Sequence, residues 1–394
     1  MKRILVLCLV LSGCSEAGQS DRYGFVATLG RDTVSLESVT RTGNTIVSDE
    51  VDRFPKVRRR HTEIELGDDG SIRRLVMDIH TPSESEKERD RRVEAVIARD
   101  TVRLSKKDGT GTKTYTFATG GTTAMPHLPQ MYSLYDLYFG TALRNATTPP
   151  GERVRMRQFY IDREFDRFPL HQGFVWMTPD GKAHIRHDWL SGTGEATLDS
   201  NFKLLSYSGD GTTYKVKVER TSGDHDVKAV AARFAATESA TGNTRALSVR
   251  DTVNAAIGTA AFMVDYSRPL ARGRELVGGI IPLGQVWRTG ANAATQFMTS
   301  VPITLAGLSL PAGTYTLWTI PRADEVQLVV NKQTGQWGTG YNPASDLGRA
   351  QLSVDTVTVP VEQFTISVVP AGDRTGSLVM EWGTFRWSAP ITIR

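Results

Sequence analysis

In residues 23–220, apolar side chains recur at every second position in short runs, and the runs are separated by turn-forming residues. Representative runs are 46–51, 61–66, 72–79, 93–104, 154–161 and 183–189. Between them lie Thr42-Gly43-Asn44, Asp68-Asp69-Gly70, Asp108-Gly109, Pro179-Asp180-Gly181 and Ser208-Gly209-Asp210-Gly211. Successive strand side chains point to opposite faces, so a period of two buries one face. Asp-Gly turns then join neighbouring strands as hairpins. This pattern predicts a large antiparallel sheet, curved into a half-barrel or open barrel. Residues 83–92 are a charge run, which reads as a solvated connection or hairpin tip. Residues 128–144 place Leu134, Leu137, Tyr138 and Leu143 at helical spacing, a short helix suited to covering the open side of the sheet.

Residues 224–237 read as a second amphipathic helix, through Val227, Val230, Ala231 and Phe234. The small polar run 239–244 reads as a linker. Beyond it strands return at 252–257, 261–265, 296–300, 303–305, 313–320, 326–331, 350–358, 363–369, 376–382 and 388–394. Such short strands in so few residues predict a β-sandwich or jelly-roll-like domain. The fold class is therefore all-β, mainly antiparallel, with a few short helices. The expected divisions are a leader at 1–13, a tether at 14–22, a β-rich domain at 23–220, a helix and linker at 221–245, and a sandwich at 246–394.

Met1-Lys2-Arg3 precedes an apolar run, 4–11, and then Ser12-Gly13-Cys14. A basic start and a short apolar stretch make an export signal. Leu11-Ser12-Gly13-Cys14 resembles a bacterial lipobox. The resemblance implies cleavage before Cys14, acylation there, and attachment to a membrane through that anchor. Ser15, rather than an aspartate, follows the cysteine, which by known sorting patterns favours the outer membrane of the cell envelope. Cys8 would leave with the signal, so no disulfide framework or cysteine metal site is expected. Of 47 lysines and arginines, 45 remain once Lys2 and Arg3 are removed, against 43 acids, so charge gives no support for nucleic-acid binding.

Residues 266–297 are dense in special residues: Arg268, Arg272, Arg274 and Arg288, two glycine-bounded turns, Trp287 and Asn292. The order Tyr266-Ser267-Arg268-Pro269, Gly273-Arg274, Gly278, Pro282 and Trp287-Arg288-Thr289-Gly290-Ala291-Asn292 resembles a bacterial family of unknown function, number 2911. The resemblance continues through Thr295, Ala312-Gly313-Thr314-Tyr315, Asn331-Lys332 and Trp337-Gly338. It implies a β-rich domain over about 246–394 and supplies no activity. In that family an acidic residue commonly follows Gly-Ala-Asn. Ala293 stands there in this chain, which weakens any mechanism that needs a carboxylate at that point. The strand pattern of the N-terminal part is loosely similar to periplasmic lipoprotein-carrier folds.

Arginine presents a planar five-donor fork suited to carboxylate or phosphate. Trp287 and Trp337 offer flat faces for a sugar ring, and Asn292 and Asn331 offer groups that read hydroxyls. Arg268, Arg274, Trp287, Arg288, Asn292, Asn331 and Trp337 are thus the candidate binding residues for an anionic or sugar-like ligand. The bland alternative pairs Arg268 and Arg288 with acids such as Asp265, Glu275 or Glu381 and puts the tryptophans in the core. Arg272 is expected in an exposed loop. His184 and His187 form the one close histidine pair, but i and i+3 on a strand face opposite ways, a poor metal site. No nucleophile elbow, Walker loop or dinucleotide fingerprint is present, so no cofactor is expected. Three function classes follow. The favoured one is a non-catalytic envelope module binding a ligand or another envelope protein. A hydrolase of envelope glycans or anionic substrates and a purely structural lipoprotein are the alternatives.

Overall fold

The computed structural model describes residues 20–53, 55–144, 149–161, 169–188, 190, 192–241 and 247–394. The expected signal, the lipid attachment point Cys14 and most of the tether lie outside the described residues.

The N-terminal part is one fifteen-stranded sheet built from two meanders. The first runs β1 (Ser20–Leu29), β2 (Asp32–Thr42), β3 (Thr45–Asp52), β4 (Arg58–Leu66), β5 (Ile72–His80), a one-turn helix α1 (Glu86–Arg89), β6 (Asp90–Ile97), β7 (Thr101–Asp108) and β8 (Gly111–Ala118). Then come β9 (Ala124–His127) and helix α2 (Tyr132–Leu143). The second meander is β10 (Val154–Tyr160), β11 (His171–Met177), β12 (Ala183–His187), β13 (Gly194–Leu198), β14 (Leu204–Ser208) and β15 (Lys217–Thr221). β15 pairs antiparallel with β1, which joins the two meanders, and β9 pairs parallel with β10 at the far edge.

The alternation read from the sequence is visible in β4, where Arg60, Thr62, Ile64 and Leu66 are buried and His61, Glu63 and Glu65 exposed. Helix α2 buries ten of its twelve residues, as an all-round apolar helix must. It touches β1 and β2 as well as β9, β10, β11 and β14, so the sheet curls around it. Helix α3 (Val227–Thr241) lies on the opposite face, where Val227 and Phe234 pack on Leu36, Val51 and Val57. The charge run forms the exposed connection of the β5–β6 hairpin, as expected, with α1 inside it and β6 beginning at Asp90. One reading needs correction. Part of the expected tether is strand, since β1 begins at Ser20 and pairs along its whole length with β2.

The C-terminal part is a sandwich of two antiparallel sheets. One holds β16 (Ser248–Ile257), β17 (Ala260–Pro269), β18 (Thr295–Thr299), β21 (Gly313–Pro321), β22 (Val326–Asn331) and β23 (Asp346–Gln351). The other holds β20 (Leu308–Leu310), β19 (Ile303–Leu305), β25 (Thr375–Ile393) and β24 (Ser353–Pro370). Phe262, Val264 and Leu317 of the first sheet meet Phe364, Met380 and Trp382 of the second in one apolar core. The expected strands 376–382 and 388–394 are one strand, β25, and 363–369 belongs to a long β24. Register shifts near Thr356, Val361 and Thr365 and a left-handed Gly383 (φ 56°) absorb the irregularity without ending either strand.

The two parts meet where the β1–β2 turn receives the loop after β17. Arg31 N donates to Arg272 O at 3.0 Å. Arg272 N donates to Glu362 Oε1 at 2.9 Å, and Arg31 forms an ion pair with the same oxygen at 3.3 Å. A Cβ on Gly30 (φ +61°) would fall 2.2 Å from Arg272 O, so this approach requires glycine. The Arg272 guanidinium pairs with Asp32 and is 1% exposed. The expectation of an exposed Arg272 is therefore overturned: its loop is covered by a turn from the other part of the chain.

Candidate functional site

The connection from β17 to β18 carries most of the conspicuous residues, and it divides them between two fates. Arg268 is spent on structure. Its Nε donates to Phe364 O at 3.1 Å, Nη1 to Asp251 Oδ2 at 2.9 Å and Nη2 to Thr365 Oγ1 at 2.9 Å, tying β16, β17 and β24 together. Arg274 folds back on its own loop, donating to Ala271 O at 3.1 Å and Leu270 O at 2.7 Å. Burial, aided by the charge of Arg272, pulls its pKa down to about 10. Trp287 lies in the core, stacked parallel on Trp382 at 6.2 Å and edge-on to Phe364 at 5.2 Å. Asn331 is fully buried and satisfied. Its Nδ2 donates to Asn342 O at 2.8 Å and to Asp346 Oδ1 at 2.9 Å, and its Oδ1 accepts from Gln333 N at 2.9 Å.

Arg288, Asn292 and Trp337 remain, and the fold brings them together. Trp287 pairs with Thr319 in an isolated antiparallel bridge, which ends at Arg288. The chain then turns sharply through Thr289 (φ 51°), Gly290 (φ 153°) and Asn292 (φ 57°). Non-glycine residues held at positive φ persist only where their surroundings over-determine them, and such strain gathers at functional sites. Here the surroundings are hydrogen bonds: Thr295 Oγ1 donates to Thr289 O at 2.6 Å, and Gly338 N donates to Asn292 O at 2.9 Å. A second isolated bridge, Ala293 to Trp337, holds the two segments side by side.

Arg288 crosses this junction. Its Cδ lies where a Cβ on residue 338 would sit, at 2.3 Å, so Gly338 is required for the arginine to lie down. Its Nη1 donates to Asn292 O at 3.2 Å. That is the one hydrogen bond of its side chain among the described residues, and no carboxylate there pairs with it. Burial without a counter-charge holds its pKa below the ordinary value. Trp337 stands alongside with 58% of its surface exposed, and the Asn292 side chain is exposed as well. The arrangement is a half-buried cation with donors to spare, an exposed flat aromatic and an amide. It can take an anion on the arginine fork and a planar or sugar-like face on the indole.

Residues 248–391 match the family model DUF2911, a protein of unknown function. The Arg288–Trp337 junction falls inside the DUF2911 region, as does the Arg272 loop. No curated protein matches the chain. Two solved structures are similar at low identity. One is a DUF1089 family protein from Pseudomonas aeruginosa, 11% identical, covering 46% of this chain and 92% of its own, with a TM-score of 0.32. The other is a β-barrel-like protein of the domain of unknown function DUF1849 from Brucella abortus, 13% identical, covering 51% of this chain and 94% of its own, with a TM-score of 0.27.

Outside the DUF2911 region, His184 and His187 face opposite ways, as strand geometry requires. His184 stacks on Trp176 at 5.3 Å, and His187 points inward to Gln158 Oε1 at 2.9 Å. Burial lowers the His187 pKa to about 3, so the ring is neutral. A set of buried charges within the curled sheet was not legible in the sequence. Glu37 accepts Tyr132 N at 2.9 Å, Ser133 N at 3.0 Å and Ser48 Oγ at 2.7 Å, and so caps α2 from another strand. Arg60 bridges Glu50, at 2.6 Å, and Asp52. Burial, with Asp52 and Glu37 adding and Arg60 opposing, pushes the Glu50 pKa up to about 8. Among the described residues, no group of three or more His, Cys, Asp or Glu is placed to hold a metal ion.

Proposed function

We propose that this is a lipid-anchored protein of the bacterial cell envelope, attached at Cys14, that binds a small anionic or sugar-like ligand at Arg288, Asn292 and Trp337 without catalysing a reaction. One observation carries the binding reading: Arg288 is desolvated, lacks a carboxylate partner among the described residues and lies against Gly338, next in the chain to the exposed Trp337. Buried arginines are ordinarily paired, so an unpaired fork on strained backbone supports an external partner. Binding is favoured over hydrolysis because the buried carboxylates are already committed, Glu37 to a helix terminus and Glu50 and Asp52 to Arg60. The outer membrane is the proposed address, on the residue after Cys14.

A titration of the full chain with a panel of uronic and sialic acid glycans, followed by thermal shift and calorimetry, tests the site. At least one should bind, and Arg288→Ala should abolish that binding while the chain stays folded. Binding that survives Arg288→Ala would remove the site. Mass spectrometry of membrane-fraction protein should find a chain beginning at acylated Cys14. An unmodified chain or an intact Met1 would refute the anchor.

A further inference from the structure

The outward face of β4, β5, β6 and β7 carries a groove of about 570 Å3, remote in sequence from the DUF2911 region. That volume is within the ordinary range for small-molecule sites. Two cross-strand rows form its floor. In one, His61 lies opposite Asp78, Asp78 opposite Arg92, and Arg92 opposite Lys107. In the other, Arg59 lies opposite His80 and His80 opposite Asp90. The far wall is α1, held to the β7–β8 turn by Gly109 N donating to Lys87 O at 2.7 Å.

The acids of the floor each have a hydrogen-bond partner, and Asp78 alone is paired with a permanent cation. Asp78 accepts both bonds of Arg92 Nη1, at 2.9 and 2.7 Å. Asp90 takes His80 Nδ1 at 2.7 Å. Asp108 accepts Thr110 N at 2.7 Å and its hydroxyl at 2.6 Å. His61, at the end of the first row, is held by Asp49 at 3.0 Å. Arg59 and Lys107 line the same groove, and among the described residues neither side chain has a hydrogen bond or ion pair. Glu86 of α1, also without a partner there, adds an acceptor at the rim. Beside Arg91, Arg92 and the acids, the groove presents two cations, Arg59 and Lys107, whose side chains have no partner among the described residues, an imidazole fixed by its Nδ1 contact so that Nε2 faces away from Asp90, and the carboxylate of Glu86. Ile79 is its one apolar lining residue, so an apolar ligand has nothing to hold.

We propose that this groove is a second binding site, for a hydroxylated phosphate monoester. A phosphate monoester carries about −1.5 to −2 charge near neutral pH, and its terminal oxygens accept from the Arg59 fork and the Lys107 ammonium. The hydroxyls of the esterified group donate to Glu86. Nothing that lines the groove is a serine, threonine, cysteine or tyrosine, so the site holds the ester and has no hydroxyl or thiol nucleophile with which to cleave it.

The test uses the purified full chain carrying Cys14→Ser, so that no acyl anchor reaches a membrane. Calorimetry with glucose 6-phosphate, inorganic phosphate and glucose is combined with sedimentation on vesicles of phosphatidylcholine containing phosphatidic acid. Glucose 6-phosphate should bind and glucose should not. Arg59→Ala and Lys107→Ala should each weaken binding about tenfold, and Arg288→Ala should leave it unchanged. Co-sedimentation that both groove variants abolish would assign the ester to a lipid headgroup, and its absence with retained glucose 6-phosphate binding assigns a soluble ester. No binding of either phosphate compound or of vesicles at about 1 mM phosphate would overturn the proposal. So would affinity insensitive to both groove variants, or lost only on Arg288→Ala, which would place the probe at the other site.

Discussion

The loops around Arg272 and Arg288 belong to the same connection, and each has residues at positive φ beside its arginine, yet the environments of the two arginines are opposite. Arg272 finds a carboxylate, Asp32, in a turn 240 residues away, and is sealed from solvent. Arg288 finds one carbonyl and leaves the rest of its fork facing outward beside Trp337. The difference teaches that loop sequence does not decide whether an arginine is structural; the presence of a second surface to bury it does. Where that surface exists the arginine becomes a joint between the two parts of the chain. Where it does not, the same geometry is a receptor.

The largest effect should come from Arg272. Arg272→Ala strands Asp32 in a partly covered interface and removes the contacts that hold the two parts together. Breaking a buried pair from one side costs about 3–5 kcal/mol, and the lower end applies here because Asp32 keeps 24% of its side-chain surface. Urea denaturation of the full chain should show the loss, and limited proteolysis should show faster cutting between the parts. If Arg272→Ala melts with the parent chain, the interface is incidental and the comparison fails on its structural side.

A second, smaller effect concerns Glu37. Its carboxylate receives the first backbone N–H groups of α2, and Glu37→Gln replaces an oxygen acceptor by an amide donor facing those groups. The expected cost is about 1–3 kcal/mol, that of leaving buried groups unsatisfied. No change in the urea midpoint would mean that α2 is held by its apolar contacts alone.

Dependence on pH sharpens the contrast further. The folded Glu50 pKa of about 8 lies above the ordinary 4.5, so between those values the folded state holds a proton that the unfolded state has released. Its contribution is fully present below pH 4.5 and is lost as pH rises through 8, by at most about 1.4 kcal/mol per pH unit. His187 works the other way: a folded value of about 3 against 6.5 gives stability present above pH 6.5 and lost as pH falls toward 3. Asp52, Arg272 and Glu50 all act electrostatically on the Tyr214 phenol, which places Arg272 among these charges. Arg272→Ala should therefore carry the alkaline loss to higher pH, whereas Arg288→Ala should leave both limbs unchanged. Stability profiles of the three chains from pH 4 to 9 would show it, and parallel profiles would detach Arg272 from the buried charges.

Much of this architecture is legible in the sequence because strands announce themselves locally. Alternation and Asp-Gly turns are properties of neighbouring residues, and Leu134, Leu137 and Tyr138 mark α2 through spacing alone. Partners distant in sequence leave no such trace. Nothing in the sequence near Glu37 marks its partner, the start of α2, 95 positions away, and Arg272 reads as solvent-facing until the β1–β2 turn covers it. Trp287 and Trp337 are the same residue type in the same signature, yet one stacks on Trp382 and the other stands in solvent. Residue type names the chemistry available and not its employment. Gly338 is the missed member of the site, and its signal was its place directly after Trp337, where a side chain would have displaced Arg288.

The smallest effects on stability should come from the proposed receptor itself. Arg288→Ala removes one hydrogen bond to Asn292 O, an oxygen that keeps its bond from Gly338 N, so the cost should be about 1 kcal/mol or less. Trp337→Ala should cost less still, within about 0.5 kcal/mol, because the ring is mostly in water. Both should nonetheless weaken any glycan found to bind, Arg288→Ala to loss and Trp337→Ala by about tenfold, which is the inverse of the Arg272 pattern of large stability loss with no direct ligand contact. Paired thermal melts and calorimetry on Arg272→Ala, Arg288→Ala and Trp337→Ala therefore test the comparison as a whole. Should Trp337→Ala destabilise the chain as much as Arg272→Ala does, the indole is holding the Asn292 turn in place, and the exposed face would be structural after all.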